Sequence, residues 1–293
     1  MFKIFSRLIP LKSFSKEEIL NNYYIDLHKL LIISGHYKRV IYDKKGIPMF
    51  YYDFPLGIKY SPTVVALHAL VHYQLRNFGM FMRYVEWLIK NADITEEYAL
   101  LYFDFPFPPR AYSSRWMSGM TQGLAASVMA RAFVYTNNNV YKSLTEKFAK
   151  GMLIPIQKGG PLLVLGDDLW IEEYPLERPP KHVLNGFIFA LLGILDTYLI
   201  TEDKLYHKFF VKGCLTLERN IKLYDLLLYS RYDAHVRSFA SASYHLLNTI
   251  MVYIISKLIN SYKLYKVAKR WFLGCMLLYP YLCKSSRIKT SRL

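Results

Sequence analysis

Apolar residues recur at three- and four-residue spacing over long stretches of this chain, the mark of helices with one buried face. The spacing predicts helices over Thr63–Leu75, Phe78–Lys90, Met117–Tyr135, Tyr141–Leu153, Val183–Leu199, Lys204–Asn220, Ala242–Ile259 and Tyr262–Leu278, and a helical stretch near Lys16–Ser34. Strand signals are sparse. Tyr37 to Tyr52 holds Gly46-Ile47-Pro48 as a turn between extended pieces, and Pro/Gly-rich breaks fall at Phe103–Arg110, Lys158–Pro161 and Tyr174–Pro180.

A loose repeat runs through the pattern. Helices begin near Pro62, Met117, Val183 and Ala242, about 55–70 residues apart, and each is followed by a second helix. Periodic helix pairs mark an α-solenoid or a closed α/α toroid. The first helix of each pair is rich in small residues, among them Ala66 and Ala69, Gly119 and Gly123, Gly186 and Gly193, and Ala242 and Ser243. Small residues permit the close packing of an inner ring. The expected fold class is therefore all-α, an (α/α) toroid of helix pairs with a short irregular N-terminal segment; an ordinary helical bundle is the alternative. The division expected is a basic, helical extension over 1–45, the toroid over 46–283 and a basic tail over 284–293.

Composition narrows the function classes. With 53% hydrophobic residues in 293, the chain can bury a substantial core. A formal net charge of +16 favours an anionic partner: nucleic acid, anionic lipid or acidic polysaccharide. No Lys/Arg block reads as a nucleic-acid tail, and no zinc-finger or RNA-binding signature occurs, so no nucleic-acid partner is expected. Cys214, Cys275 and Cys283 are odd in number and lack metal-ligand spacing, so neither a disulfide framework nor a metal site is expected, and a cytoplasmic, reducing compartment fits. Residues 1–10 lack the apolar core and cleavage site of a signal peptide. The segment from Trp271 to Leu282 is shorter than the about 20 apolar residues of a membrane span. Flanked by Lys269, Arg270 and Lys284, it suits peripheral contact with an anionic membrane, though a terminal helix packed on the domain is the commoner arrangement. A homodimer is compatible with the same features.

Candidate chemistry concentrates at Trp170-Ile171-Glu172-Glu173-Tyr174-Pro175, followed by Val183-Leu184-Asn185-Gly186-Phe187. Two carboxylates and a phenol sit side by side between a tryptophan and a helix start. Upstream lie Trp116-Met117-Ser118-Gly119-Met120-Thr121-Gln122-Gly123 and Arg131-Ala132-Phe133. Downstream lie Leu192-Gly193-Ile194-Leu195-Asp196, Ser230-Arg231-Tyr232-Asp233 and Ala242-Ser243-Tyr244-His245.

In this order these pieces resemble the signatures of the D-glucuronyl C5-epimerase C-terminal domain over roughly residues 46–260, and Tyr60-Ser61-Pro62 resembles that family's lead-in to its first inner helix. The resemblance implies an α/α toroid and inversion of C5 in uronic acid residues of an acidic polysaccharide, turning D-glucuronic into L-iduronic acid, with no redox cofactor. It matches Glu173 and Tyr174 to the acid and tyrosine of the family's Glu-Glu-Tyr-Pro motif, Tyr232 to its Tyr-Asp motif and Tyr244 to its Tyr-His motif. On this reading Glu173, Tyr174 and Tyr244 share the proton transfers, and Tyr232 with Arg231 or Arg237 holds the substrate carboxylate. Trp116, Gln122, Glu172 and His245 line or support the site, and Asn185 orders a helix start. The pattern departs at His235, where eukaryotic members carry Arg, and at Asn248, where the family has His. Animal members precede the toroid with a large β-rich domain, for which the about 45 residues before the match are too few.

The chemistry asks for such residues. The C5 proton lies α to a carboxylate and is weakly acidic, so removal needs a base on one face and an acid on the other, with cations or donors near the carboxylate as it gains charge. Tyrosine has a free pKa of about 10, so neighbouring Lys or Arg would help it ionise. Alternatives remain on the same fold. A lyase begins with the same abstraction, a hydrolase needs two carboxylates such as Glu173 with Asp167 or Asp168, and a non-catalytic glycan binder needs neither.

Overall fold

The computed structural model describes residues 8–112, 115–235 and 239–287, with side chains as far as Leu277. Among the described residues two short helices, α1 (Lys16–Asn21) and α2 (Leu27–Ile33), precede four helix pairs. The pairs are α3 (Pro62–Gln74) with α4 (Phe78–Lys90), α5 (Gly119–Thr136) with α6 (Asn139–Met152), α7 (Leu184–Thr201) with α8 (Lys204–Asn220), and α9 (Ala242–Leu258) with α10 (Tyr262–Arg287). Within each pair the two helices pack together, and the first helices pack in series, α3 on α5, α5 on α7 and α7 on α9.

Burial separates the two kinds of helix. In α5 every residue from Thr121 to Ala132 is buried, and in α7 every residue from Leu184 to Thr197. Helix α7 is long and apolar enough to cross a membrane, yet it is the central core helix. By contrast α4 buries only Phe81, Tyr84, Val85 and Leu88, a single stripe at helical spacing. Glycine sets the distance between α5 and α7. A Cβ at Gly123 would lie 2.5 Å from Ala190 Cα, and one at Gly193 would lie 2.6 Å from Gly123 Cα. Gly123→Ala is therefore expected to cost about 1–3 kcal/mol by forcing the helices apart. A urea midpoint equal to that of the unsubstituted chain would mean that this contact is slack.

The helix starts are fixed by local chemistry. Ser61, Ser118 and Ser241 cap α3, α5 and α9, each accepting a backbone N–H from the first turn. Helix α7 begins after Val183 with no side-chain cap, so Asn185 does not cap it as the sequence suggests.

Two other expectations are corrected. The stretch near Lys16–Ser34 is not one helix: Tyr23, Tyr24 and Ile25 stay fully buried across a break, and Asp26 starts α2 anew by accepting from Lys29 N–H at 3.0 Å. The chain also carries short antiparallel ladders between helices. β1 (Val40–Tyr42), β2 (Pro48–Tyr52) and β3 (Gly57–Tyr60) form one sheet, and β4 (Ala92–Ile94), β5 (Ala99–Phe103) and β6 (Trp116–Met117) another. β7 (Leu162–Leu165) pairs with β8 (Asp168–Ile171), and β9 (Asp225–Leu226) with β10 (Tyr229–Ser230). Strands of two to five residues are too short to show a two-residue period.

The N-terminal segment packs on the helix pairs. Leu8, Ile19, Tyr23, Leu27 and Leu30 belong to the same hydrophobic cluster as α5 and α7. An ion pair with both side chains wholly buried locks it there: Arg131 of α5 meets Asp196 of α7 at 2.7 Å. Arg131 also donates to the carbonyls of Asn22 (2.6 Å) and Ile19 (2.9 Å), and the Tyr24 hydroxyl donates to Asp196 at 2.9 Å.

At the other end, α10 packs on the domain. Trp271 is fully buried and donates from Nε1 to Asp225 at 2.9 Å, while Leu273 and Leu277 face outward. Side chains beyond Leu277 and residues 288–293 of the basic tail lie outside the described residues.

Candidate active site

The starts of all four first helices meet around one cavity of about 360 Å³. Ser61 and Thr63 come from α3, Ser118 and Met120 from α5, Asn185 from α7, and Ser243 and Tyr244 from α9. The far wall is built by the N-terminal segment through Leu27, Leu31, His36 and Arg39.

The acid–phenol motif reaches the cavity on a hairpin. β7 and β8 pair from Leu162–Ile171 to Leu165–Asp168, closing at Gly166 in the left-handed region (φ 57°). Directly after β8, Glu172 N–H donates to Pro161 O at 2.8 Å and Glu172 O accepts from Gly119 N–H at 3.0 Å. This clamp turns the two acids in opposite directions. Glu172 leaves the cavity: its carboxylate accepts from His182 N–H at 3.0 Å and bonds His182 Nδ1, whose ring stacks on Trp170 at 4.2 Å. Tyr224 donates to His182 O at 2.6 Å and completes this support.

Glu173 enters the cavity, 7% exposed, and among the described residues its Oε2 has no hydrogen-bond partner. The first turn of α7 holds a glycine against it, since a Cβ at Gly186 would lie 2.7 Å from Glu173 Cβ. Burial pushes the Glu173 carboxyl up to about 7; the Tyr174 phenol and the Arg110 guanidinium partly offset that rise.

Three phenols surround it. Tyr174 and Tyr244 line the cavity, and the Tyr232 ring packs edge-on against Tyr244 with centroids 4.8 Å apart. Tyr244 is 42% exposed. The surrounding protein pushes its phenol up to about 12, and the Glu173 charge adds to the rise. Burial, and then Glu173, also holds Tyr174 and Tyr232 well above the ordinary tyrosine value. The expectation that basic neighbours lower these phenols is thus reversed: burial and a shared carboxylate outweigh the nearby cation.

That cation is Arg110, which the sequence reading missed. It arrives from the segment between β5 and β6, lies 4.0 Å over the Tyr174 ring and pairs with Glu177 at 2.6 Å. Trp116 is 5% exposed, donates to Phe105 O at 3.1 Å and stacks on Phe103 at 3.9 Å, its partner across the β5–β6 ladder. Its face forms part of the cavity wall next to Tyr174. Asn185 is 2% exposed and its Oδ1 has no partner among the described residues, so it presents an acceptor to the cavity.

Other proposed ligands lie elsewhere. Gln122 is fully buried and clamps β5, accepting from Leu101 N–H at 2.9 Å and donating to Leu101 O at 2.8 Å. His245 is a satisfied core histidine: Nδ1 accepts from Ser230 N–H, and Nε2 sits 3.1 Å from Trp271 O. Burial lowers its pKa to about 4, so it stays neutral. Arg231 does not line the cavity; it donates to Leu223 O at 3.3 Å, and Arg237 lies outside the described residues. Asn248 bonds Ser230 Oγ and Arg231 O, both at 3.1 Å. Asp168, one of the two acids a hydrolase would have paired with Glu173, is tied to Arg219 at 2.6 Å, and Asp167 is exposed beside it; neither lines the cavity. Among the described residues no cluster of three or more His, Cys, Asp or Glu side chains is placed to ligate a metal.

A model of the D-glucuronyl C5-epimerase C-terminus family matches residues 96–272, more than half of the chain. The chain belongs to this family. The matched span carries Arg110, Trp116, Glu173, Tyr174, Asn185, Tyr232 and Tyr244, while the wall from Leu27 to Arg39 lies before it. Among curated relatives, the family chain is 27% identical over 215 residues to a D-glucuronyl C5-epimerase of Caenorhabditis elegans, covering 65% of this chain and 34% of that protein. It is 29% identical over 170 residues to an uncharacterized protein of Methanocaldococcus jannaschii, covering 53% of this chain and 54% of that protein. The chain thus spans about a third and about a half of the lengths of these two relatives.

Proposed function

We propose that this chain is a uronyl C5-epimerase acting on glucuronic acid residues of an acidic polysaccharide. The observation that carries the reading is one cavity holding Glu173, pushed up to about 7, together with the Tyr244 phenol, pushed up to about 12. A carboxylate near neutrality suits proton abstraction, and a phenol that stays protonated suits proton return.

In the proposed reaction the Glu173 anion takes the C5 proton. The C–H electron pair passes into the substrate carboxylate as an enolate-like species, and the Tyr244 hydroxyl delivers a proton to the opposite face. The phenolate then regains a proton from water at the cavity mouth, and Glu173 releases its own. Asn185 Oδ1 would accept a sugar hydroxyl, and Arg39 is the cation on the far wall. The starts of α3, α5, α7 and α9 meeting at the cavity favour the negative charge that develops there. The serial packing of these helices, each with an outer partner, supports closure as an α/α toroid.

The test is deuterium uptake from solvent at C5 of a glucuronate polymer without chain cleavage; an unsaturated, near-UV-absorbing product would instead identify a lyase. Tyr244→Phe is expected to cut exchange by about a hundredfold or more with the fold intact. Tyr174→Phe is expected to move the acidic limb of the rate profile to higher pH, because the Tyr174 phenol favours the Glu173 anion. Full exchange by Tyr244→Phe would remove it as the proton donor.

A further inference from the structure

The hairpin of β9 and β10 turns on two leucines. Leu226 pairs with Tyr229, so Leu227 and Leu228 alone make the turn. Leu227 sits in the left-handed region (φ 64°) and is 71% exposed. Glycine or asparagine is the usual residue in such a place, and a bulky side chain there costs about 1–2 kcal/mol. The Leu227 side chain stands in solvent, so burial within the domain does not offset that strain.

Helix α10 extends the same surface. Arg270 pairs with Asp225 at the foot of the hairpin, and Gly274 lies against the Leu228 carbonyl, where a Cβ has no room. Leu264, Ala268, Trp271 and Cys275 turn the inner side of α10 to the core. Lys266, Arg270, Leu273 and Leu277, spaced by four, three and four residues, form one stripe on its outer side. Leu277, 67% exposed, lies one helical turn beyond Arg270 and Gly274, on the side that meets the hairpin. Phe239, 68% exposed, packs edge-on against Tyr229 of the hairpin with centroids 5.3 Å apart.

The charge around these groups has one sign. Residues 234–293 carry ten Lys or Arg and no Asp or Glu, in a chain whose formal net charge is +16. Lys266 and Lys269 are exposed on α10, and Asp225, the acid at the base of the hairpin, is already held by Arg270 and Trp271. A second copy of this chain is a poor cover for such a face, because a two-fold contact would set the same lysines against one another. Exposed leucines beside exposed lysines suit a boundary where apolar groups enter hydrocarbon and cations meet anionic headgroups.

We propose that the Leu227–Leu228 turn and the outer stripe of α10 dock on an anionic lipid bilayer, with both leucines, Phe239 and Leu277 entering the headgroup boundary. This surface goes beyond the uronate reading and does not depend on it.

The test is co-sedimentation of the full chain with vesicles of phosphatidylcholine, alone or with about 30% phosphatidylglycerol, at about 0.1 and 0.5 M salt. Binding should be about tenfold or more tighter on the anionic vesicles and should weaken with salt. Leu227→Gly/Leu228→Ser supplies residues that the turn favours, so it should keep or raise the melting temperature while weakening vesicle binding about tenfold or more. Leu273→Gln/Leu277→Gln, which keeps good helix formers, should weaken it likewise and carries the same test on a separate element. Lys266→Glu/Lys269→Glu should remove the preference for anionic vesicles. Lys204→Glu/Lys208→Glu makes the same change in net charge at the start of α8, about 24 Å of helix from the end that leads to the hairpin, and should leave binding within about twofold. Equal binding of neutral and anionic vesicles, unchanged binding by both leucine variants, or equal losses in the two charge reversals would each overturn the proposal. So would a dimer abolished by Leu227→Gly/Leu228→Ser, or turn-dependent binding of a glucuronate polymer, in place of vesicle binding.

Discussion

Glu173→Gln is expected to abolish C5 exchange while making the protein more stable at neutral and alkaline pH. The amide cannot accept the C5 proton, and loss of a positioned general base costs about a hundredfold to ten-thousandfold. The stability effect follows from the same burial. The Glu173 pKa rises from an ordinary 4.5 to about 7 in the folded chain. Between those values the folded state holds the proton more tightly than the unfolded state, so stability falls as pH rises from about 4.5 through about 7. Above that range the buried anion destabilises the fold by on the order of 3 kcal/mol, and below about 4.5 it costs nothing. Glutamine removes the penalty. The melting temperature of Glu173→Gln should exceed that of the unsubstituted chain at pH 8 and match it near pH 4. Exchange by the unsubstituted chain should climb with pH to a plateau above about 7, as Glu173 ionises. A variant that keeps its exchange rate would refute the base, and one that is no more stable at pH 8 would refute the burial of its charge.

Arg131→Ala and Asp196→Ala are each expected to destabilise the fold by about 3–5 kcal/mol, the cost of leaving a buried charge without its partner. Both side chains are inaccessible, and each has second partners, Arg131 in the carbonyls of Ile19 and Asn22 and Asp196 in Tyr24. The double replacement Arg131→Met/Asp196→Leu should recover part of the loss, since no charge remains. Recovery should be incomplete because the Ile19 and Asn22 carbonyls lose their donor. Denaturant midpoints measure both effects, and a single-variant loss under about 1 kcal/mol would show that water reaches the pair.

The helix plan was legible because period and capping agree. Phe78–Lys90 and Lys204–Asn220 are found as read, five of the other six paired helices shift by at most two residues at either end, and the last continues nine residues past Leu278 to Arg287. Where the buried face continued through a break, as at Tyr23-Tyr24-Ile25, apolar spacing could not reveal the interruption. The site was half legible. Glu173, Tyr174, Asn185 and Tyr244 belong to short motifs at helix starts, and those starts converge. Arg110, His182 and Arg39 carry no local pattern: one arrives from a proline-rich loop, one by stacking on Trp170 and one from the N-terminal segment. Arg231 was chosen because it adjoins Tyr232 in sequence, but a backbone bridge to Phe239 turns the two residues to different surroundings.

The anchoring of the N-terminal segment also sets an order of events during synthesis. Ile19 and Asn22 leave the ribosome more than a hundred residues before Arg131, and Tyr24 precedes Asp196 by 172. Until those partners emerge, Leu20 of α1 has no Ala130 of α5 or Ile200 of α7 to rest on, and contacts of such separation form slowly. The helix encoded first is thus among the last to be secured, and the cavity closes only when Tyr244 follows on α9. A nascent chain stalled between Arg131 and Asp196 would carry that helix with part of its apolar face uncovered, as a sticky surface suited to a chaperone.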